Sequence, residues 1–178
     1  MHRKFLLDKL EAHTAHDDEE QEMLQRIIQF VNDHEDCFKR ELSVGHITGS
    51  AWIINRERTH VLLTHHKKLD RWLQLGGHSD GDANTLNVAL KEGREESGLD
   101  VTPISKDIFD VDVHLIPARK QDPEHYHYDV RFLLEADSNQ PFVVSEESHD
   151  LAWVALEDLP NLVDERSMLR MLEKTNVN

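Results

Sequence analysis

The segment from Leu75 to Leu99 constrains the fold more tightly than any other part of the chain. A glycine pair, Gly76-Gly77, leads into the polar turn His78-Ser79-Asp80-Gly81-Asp82, and a helical run to Ser97 is closed by Gly98. With Thr85 as N-cap, Leu86, Ala89, Leu90 and Gly93 recur at intervals of three and four and share one stripe. At helical pitch Glu92 and Glu96 fall on one side beside that stripe, with Glu95 on the adjacent flank. Like-charge pairs at this spacing cost about a few tenths of a kcal/mol each. A divalent cation would relieve the repulsion, but a solvated Glu-rich helix face also tolerates it, so carboxylate spacing alone leaves both readings open.

The register of the whole segment narrows the choice. It resembles the Nudix box, the signature of the Nudix hydrolases: Gly, five residues, Glu, seven residues, then Arg-Glu-apolar-any-Glu-Glu-any-Gly-apolar. Gly77, Glu92, Glu95, Glu96, Gly98 and Leu99 match six of its nine specified positions across 23 residues. Ala83, Lys91 and Gly93 depart from it, standing where the box has Glu, Arg and a larger apolar residue. In the family that Glu and Arg commonly form an ion pair supporting the loop, so this chain requires another brace. Asp80, Asp82 and the His125–Arg131 strand are the places to look for it.

The resemblance implies Mg²⁺ or Mn²⁺ as cofactor, with the Gly76 carbonyl, Glu92, Glu95 and Glu96 as metal ligands. It implies a catalytic set of Glu95, Glu96 and an acid from the loop ahead of the last strand, where Glu146, Glu147 and Asp150 stand. Proton removal falls to Glu95 or to one of those three acids.

The rest of the chain sets bounds. A length of 178 residues suits one domain with a real core, and 38% hydrophobic with 31% charged residues suits a soluble, globular chain. No apolar run is long enough for a membrane span, and Met1 to Asp8 has no sustained apolar stretch, so the expected location is the cytoplasm, without a signal peptide. The single cysteine, Cys37, excludes an intrachain disulfide and reads as a buried or idle thiol. A net charge of −15 disfavours a nucleic acid polymer as partner. A small phosphorylated substrate stays compatible, because divalent ions bridge carboxylates to phosphate oxygens.

Taken in order, residues 1–44 read as a helical extension. Phe5, Leu6 and Leu10 mark a first helix; Asp17 to Glu20 suit the start of a second, whose Met23, Leu24, Ile27, Ile28 and Val31 cover either the core or a partner subunit in a homodimer. Gly45–Asn55 and His60–His66 read as a strand hairpin. The basic stretch His65, His66, Lys67, Lys68 and Arg71 is a candidate grip on substrate phosphate, or else a solvated loop. Further strands are expected over Ile108–Ile116, His125–Leu134, Pro141–Val144 and Leu151–Val154, and a C-terminal helix from about Asp164 to Lys174 with Met168 and Met171 as core filler.

The strand from His125 is the second informative pattern. Alternation puts His125, His127, Asp129 and Arg131 on one face and Tyr126, Tyr128, Val130 and Phe132 on the other. The polar face is either solvated or lines a pocket, with Arg131 holding phosphate by its fork and His127 or His125 on substrate or metal. A zinc site there would need third and fourth ligands from elsewhere in the chain.

The fold these readings and the resemblance imply is α/β: a Nudix-like α/β/α sandwich with a mixed sheet and an N-terminal helical extension, in a single domain. Its parts are the extension 1–44, a core over 45–160 and a C-terminal helix over 161–178. The implied activity is metal-dependent hydrolysis of a diphosphate linkage in a small nucleotide-type substrate, with Arg71, His127 and Arg131 as substrate-binding candidates. The alternatives are a nucleoside triphosphate pyrophosphohydrolase and a non-catalytic nucleotide-binding module on the same fold.

Overall fold

The computed structural model describes residues 2–119, 122–146 and 148–177. Two helices, α1 (His2–Ala12) and α2 (Asp18–Asp33), precede strands β1 (Gly45–Asn55), β2 (His60–His66), β3 (Arg71–Leu73) and β4 (Leu75–His78). Helix α3 (Thr85–Ser97) follows, then β5 (Thr102–Pro103), β6 (Asp110–Ile116), β7 (His125–Ala136) and β8 (Ser148–Ala155). Helices α4 (Leu159–Leu162) and α5 (Arg166–Val177) complete the order. Among the described residues no helix is long and apolar enough to cross a membrane.

The eight strands form one mixed sheet around β1. One edge of β1 pairs in parallel with β7 over its whole length, from Gly45 opposite Tyr126 to Asn55 opposite Ala136. The other edge is shared: Ile53 and Ile54 pair with β2, while Thr48 to Ala51 pair with β4. β8 pairs with β2 along its length, from His60 to His66; beyond Leu62 the strand β2 leaves β1 and takes β3 as its other neighbour, so the sheet divides at that point. Two of the expected strands, β1 and β2, have the bounds that their patterns predict. Residues 141–144, expected as a strand, form none; the Val143 N–H instead donates to the Ser97 carbonyl at the end of α3 (2.7 Å).

The two sheet faces are covered differently. Ile47, Ala51 and Ile53 of β1 and Val130, Phe132 and Leu134 of β7 pack with α1, α2 and α3. The apolar side of α2 is spent here, with Leu24, Ile27, Phe30 and Val31 buried within the chain. Cys37 lies in the same core, where burial pushes its thiol up to about 11. The opposite face carries Trp52, Ile54 and Leu133 against Leu159 of α4 and Met168 and Met171 of α5.

Between the apolar end of that second face and its histidine-rich end lies a buried ionic network. Asp110, fully buried, accepts from Arg170 Nε (2.8 Å), Lys174 Nζ (3.0 Å) and Arg131 Nη1 (3.3 Å). Lys174 also donates to Glu20 of α2 at 2.6 Å, tying the extension directly to the C-terminal helix beside the start of β6. Burial alone would raise the Glu20 carboxyl, but hydrogen bonds from His13, Lys174 and the His16 N–H outweigh it and hold the group at about 2, against an ordinary 4.5.

That depression fixes the sign of a pH effect. A carboxyl lowered in the folded state stabilises fully above its unfolded value, and the contribution fades as pH falls from 4.5 towards 2. The gap in urea midpoint between the wild type and Glu20→Gln is therefore expected to be widest above pH 4.5 and to shrink across that window. A gap independent of pH would show that Glu20 acts by packing alone.

Candidate metal and catalytic site

The helix carrying the three glutamates is held at both ends by its own chemistry. Asn84, one residue before the expected cap, takes the N-cap role: its side chain accepts from the Asn87 N–H, and Thr85 is buried as the first helical residue. At the other end Gly98 adopts the left-handed conformation (φ 71°) that a side chain would disfavour, and its N–H closes on the Arg94 carbonyl. Gly93, where the box has a larger apolar residue, lies against Ile53: a Cβ there would stand 3.3 Å from Ile53 Cδ1. A larger side chain would have to displace Ile53, so β1 and α3 account together for this departure.

Gly76 and Gly77 are not a turn but the middle of β4, hydrogen-bonded opposite Ser50 and Gly49. The polar turn comes after them, with Asp80 and Gly81 at positive φ. A Cβ at position 77 would lie 2.5 Å from the Glu92 Cδ, so the glycine leaves the room that the Glu92 carboxylate occupies. Glu96 is 8% exposed and accepts the Gly76 N–H on Oε2 at 3.2 Å. Glu95 stands on the outer flank with its side chain 61% exposed.

Lys91 does not reach residue 83; its Nζ stands 3.7 Å from Glu92 and 3.9 Å from Glu95. Ala83 packs against the apolar core. The loop is braced from the N-terminal side instead. Arg40 grips both carboxylate oxygens of Asp80 at 2.6 Å each, and the Gly81 N–H donates to the Phe38 carbonyl (2.9 Å). Asp82 accepts the Asn84 N–H at 2.8 Å, holding the entry to α3.

The donor set fits a hard divalent cation. Glu92, Glu95 and Glu96 offer only oxygens, the type that Mg²⁺ and Mn²⁺ prefer, and the space left by Gly77 is filled by the Glu92 carboxylate. Gly76, expected to contribute its carbonyl, meets Glu96 through its N–H.

The other predicted residues lie on different parts of the sheet. Arg71, in β3, is paired with Glu165. Asp150 sits in β8 opposite His65, its side chain bonded to the next N–H, and the Glu146 carbonyl accepts from Lys67. Glu147 lies outside the described residues. Thus two cations of the basic stretch, Lys67 and Arg71, are engaged by neighbouring loops.

Arg131 differs most from expectation. It is 3% exposed, and Nε, Nη1 and Nη2 each go to a carboxylate, of Asp129 (2.8 Å), Asp110 (3.3 Å) and Asp112 (3.2 Å). Asp129 is itself filled by the hydroxyls of Thr48 and Ser50. The face is polar, as alternation requires, but neither solvated nor open to phosphate here: its charges neutralise one another in the interior.

The same face ends in histidines from four strands. His46 of β1 is in register with His127 of β7, and His127 with His114 of β6; His78 ends β4. The His46 ring centroid lies 4.9 Å from those of His78 and His127, and 5.0 Å from that of His125. Burial, then the neighbouring rings, lowers His46 to about 4 and His127 to about 2, so both are neutral at neutral pH. Sequence reasoning found His125 and His127 but missed His46 and His78, because the pairing of β1 with β7 and with β4 leaves no local signal. The available hint was the alternation His46, Thr48, Ser50 at the start of a strand otherwise apolar.

Comparison with known proteins agrees with this architecture. Among solved structures, a Nudix-family hydrolase from Clostridium perfringens superposes with a TM-score of 0.53 at 25% identity, covering 74% of this chain and 97% of that one. An Ap4A hydrolase from C. elegans gives 0.59 at 19% identity, covering 74% and 95%. The dihydroneopterin triphosphate pyrophosphohydrolase of E. coli gives 0.53 at 13%, covering 72% and 92%. No curated protein sequence matches. The NUDIX domain profile matches residues 46–174, most of the chain and all of the box, and the chain therefore belongs to the Nudix hydrolase family.

Proposed function

We propose that this protein hydrolyses a diphosphate linkage in a small nucleotide-type substrate, a nucleoside diphosphate joined to another group, with Mg²⁺ or Mn²⁺ as cofactor. The observation that carries the reading is the meeting of Glu96 with the Gly76 N–H beside Glu92 seated on Gly77, in the register of the family's box. When bound, the dication supplies charge neutralisation for the phosphoryl oxygens and acidifies a water. Glu92 and Glu96 would hold it, and the Gly76 N–H keeps the Glu96 carboxylate turned towards β4.

Glu95, exposed on the helix flank, has room to accept a proton at a carboxylate oxygen, with Asp150 of β8 as the second candidate base. Ap4A and dihydroneopterin triphosphate, named for two of the similar structures, both contain phosphoanhydride bonds, which supports the linkage class and leaves the leaving group open. The test is a panel of dinucleotides, nucleotide sugars, nucleoside triphosphates and coenzyme-linked diphosphates, assayed with Mg²⁺ and with Mn²⁺. Turnover of a diphosphate-linked compound is the expected result. Preference for triphosphates would move the protein to the pyrophosphohydrolase reading, and no turnover on any compound would make it a binding module.

A further inference from the structure

We propose that His46, His125 and His127, completed by His78, form a binding site for a first-row transition-metal ion, Zn²⁺ by preference, with ligands distinct from the box carboxylates. One ring nitrogen from each of His46, His125 and His127 lies within 4.8 Å of the others. Two imidazole nitrogens on a tetrahedral Zn²⁺ stand about 3.3 Å apart. His125 Nε2 and His127 Nε2 are 3.3 Å apart.

Tautomer and burial both point the same way. His125 Nδ1 bonds the Pro123 carbonyl at 2.8 Å, which places its proton on Nδ1 and leaves the Nε2 lone pair facing the cluster. That is the arrangement in which metal-ligating histidines are held, with the distal N–H on a backbone carbonyl. A hydrogen bond between His125 and His127 accounts for those two rings but not for His46. His46 is 3% exposed, and among the described residues neither of its ring nitrogens has a hydrogen-bond partner. A buried imidazole with both nitrogens unmatched requires a ligand or a cost.

His78 supplies the fourth position, its ring 4.9 Å from His46 and 5.1 Å from His127. Neutral nitrogen donors with no oxygen suit Zn²⁺, and also Cu²⁺ or Ni²⁺, over Mg²⁺. Because His78 follows Gly77 directly, an ion here would fasten the end of β4, and with it the start of the box loop, to β1 and β7.

The experiment uses the full chain, stripped with chelator and titrated with Zn²⁺ alone by calorimetry, with metal content measured after desalting. About one Zn²⁺ per chain is expected in the wild type and equally in Glu96→Gln. His125→Gln, at a partly exposed strand end, is expected to bind at least about tenfold more weakly with unchanged far-ultraviolet circular dichroism. Co²⁺ added to the stripped wild type should give the visible bands of a tetrahedral nitrogen site. Failure of the wild type to retain stoichiometric Zn²⁺ overturns the proposal. So does binding lost in Glu96→Gln and kept in His125→Gln, which would assign the ion to the box.

Discussion

Glu96→Gln is expected to lower metal-dependent turnover by about 10³-fold or more while leaving the fold intact, since on the proposed reading it takes a charged ligand from the catalytic dication and with it several kcal/mol of transition-state stabilisation. The substitution is close to isosteric. Its amide oxygen can still accept the Gly76 N–H that Glu96 Oε2 accepts now, so the contact between α3 and β4 survives. What is lost is a negative charge at the most buried of the three box acids. Turnover measured at saturating Mg²⁺, with circular dichroism and urea unfolding as controls, checks it. Near wild-type turnover from a folded Glu96→Gln protein would remove the box from the chemistry.

The second large effect concerns stability. Asp110→Ala is expected to destabilise the protein by about 3–5 kcal/mol, the range for breaking a buried ionic group by removing one partner. Asp110 receives Arg131, Arg170 and Lys174, and Arg170 is as fully buried as Asp110. Without the carboxylate these cations face one another in an interior that offers little solvation. The effect should appear as a fall in the urea midpoint at unchanged slope. A loss below about 1 kcal/mol would mean that water or the remaining acids, Asp112, Asp129 and Glu20, compensate for the missing charge.

Local chemistry was legible and pairing across distance was not. The β1 and β2 strands follow from runs of apolar and β-branched residues, the end of α3 from Gly98, and the grouping of Glu92 and Glu96 from helical pitch. Alternation correctly placed His125, His127, Asp129 and Arg131 on one face, but it carries no information about what lies opposite. The acids that claim Arg131 come from β6 and from its own strand, and the hydroxyls that fill Asp129 come from β1. That is why a phosphate grip was a fair expectation and a buried counter-charge the outcome. Gly76-Gly77, expected only as the lead into a turn, are strand, because β1 pairs along them.

The grip of Arg40 on Asp80 has a consequence for how the box should be thought of. The resemblance implies an internal strut for the motif, an ion pair between the residues at positions 83 and 91. In this chain the strut has been outsourced: Arg40 and the Phe38 carbonyl lie before residue 46, ahead of the family-matched stretch. Grafting residues 46–174 onto another leader, or pruning the leader away, would keep every box residue and yet unmoor the turn they hang from. Ala83 and Lys91 leave the turn without that pair, and Arg40, which the motif does not contain, braces it from outside.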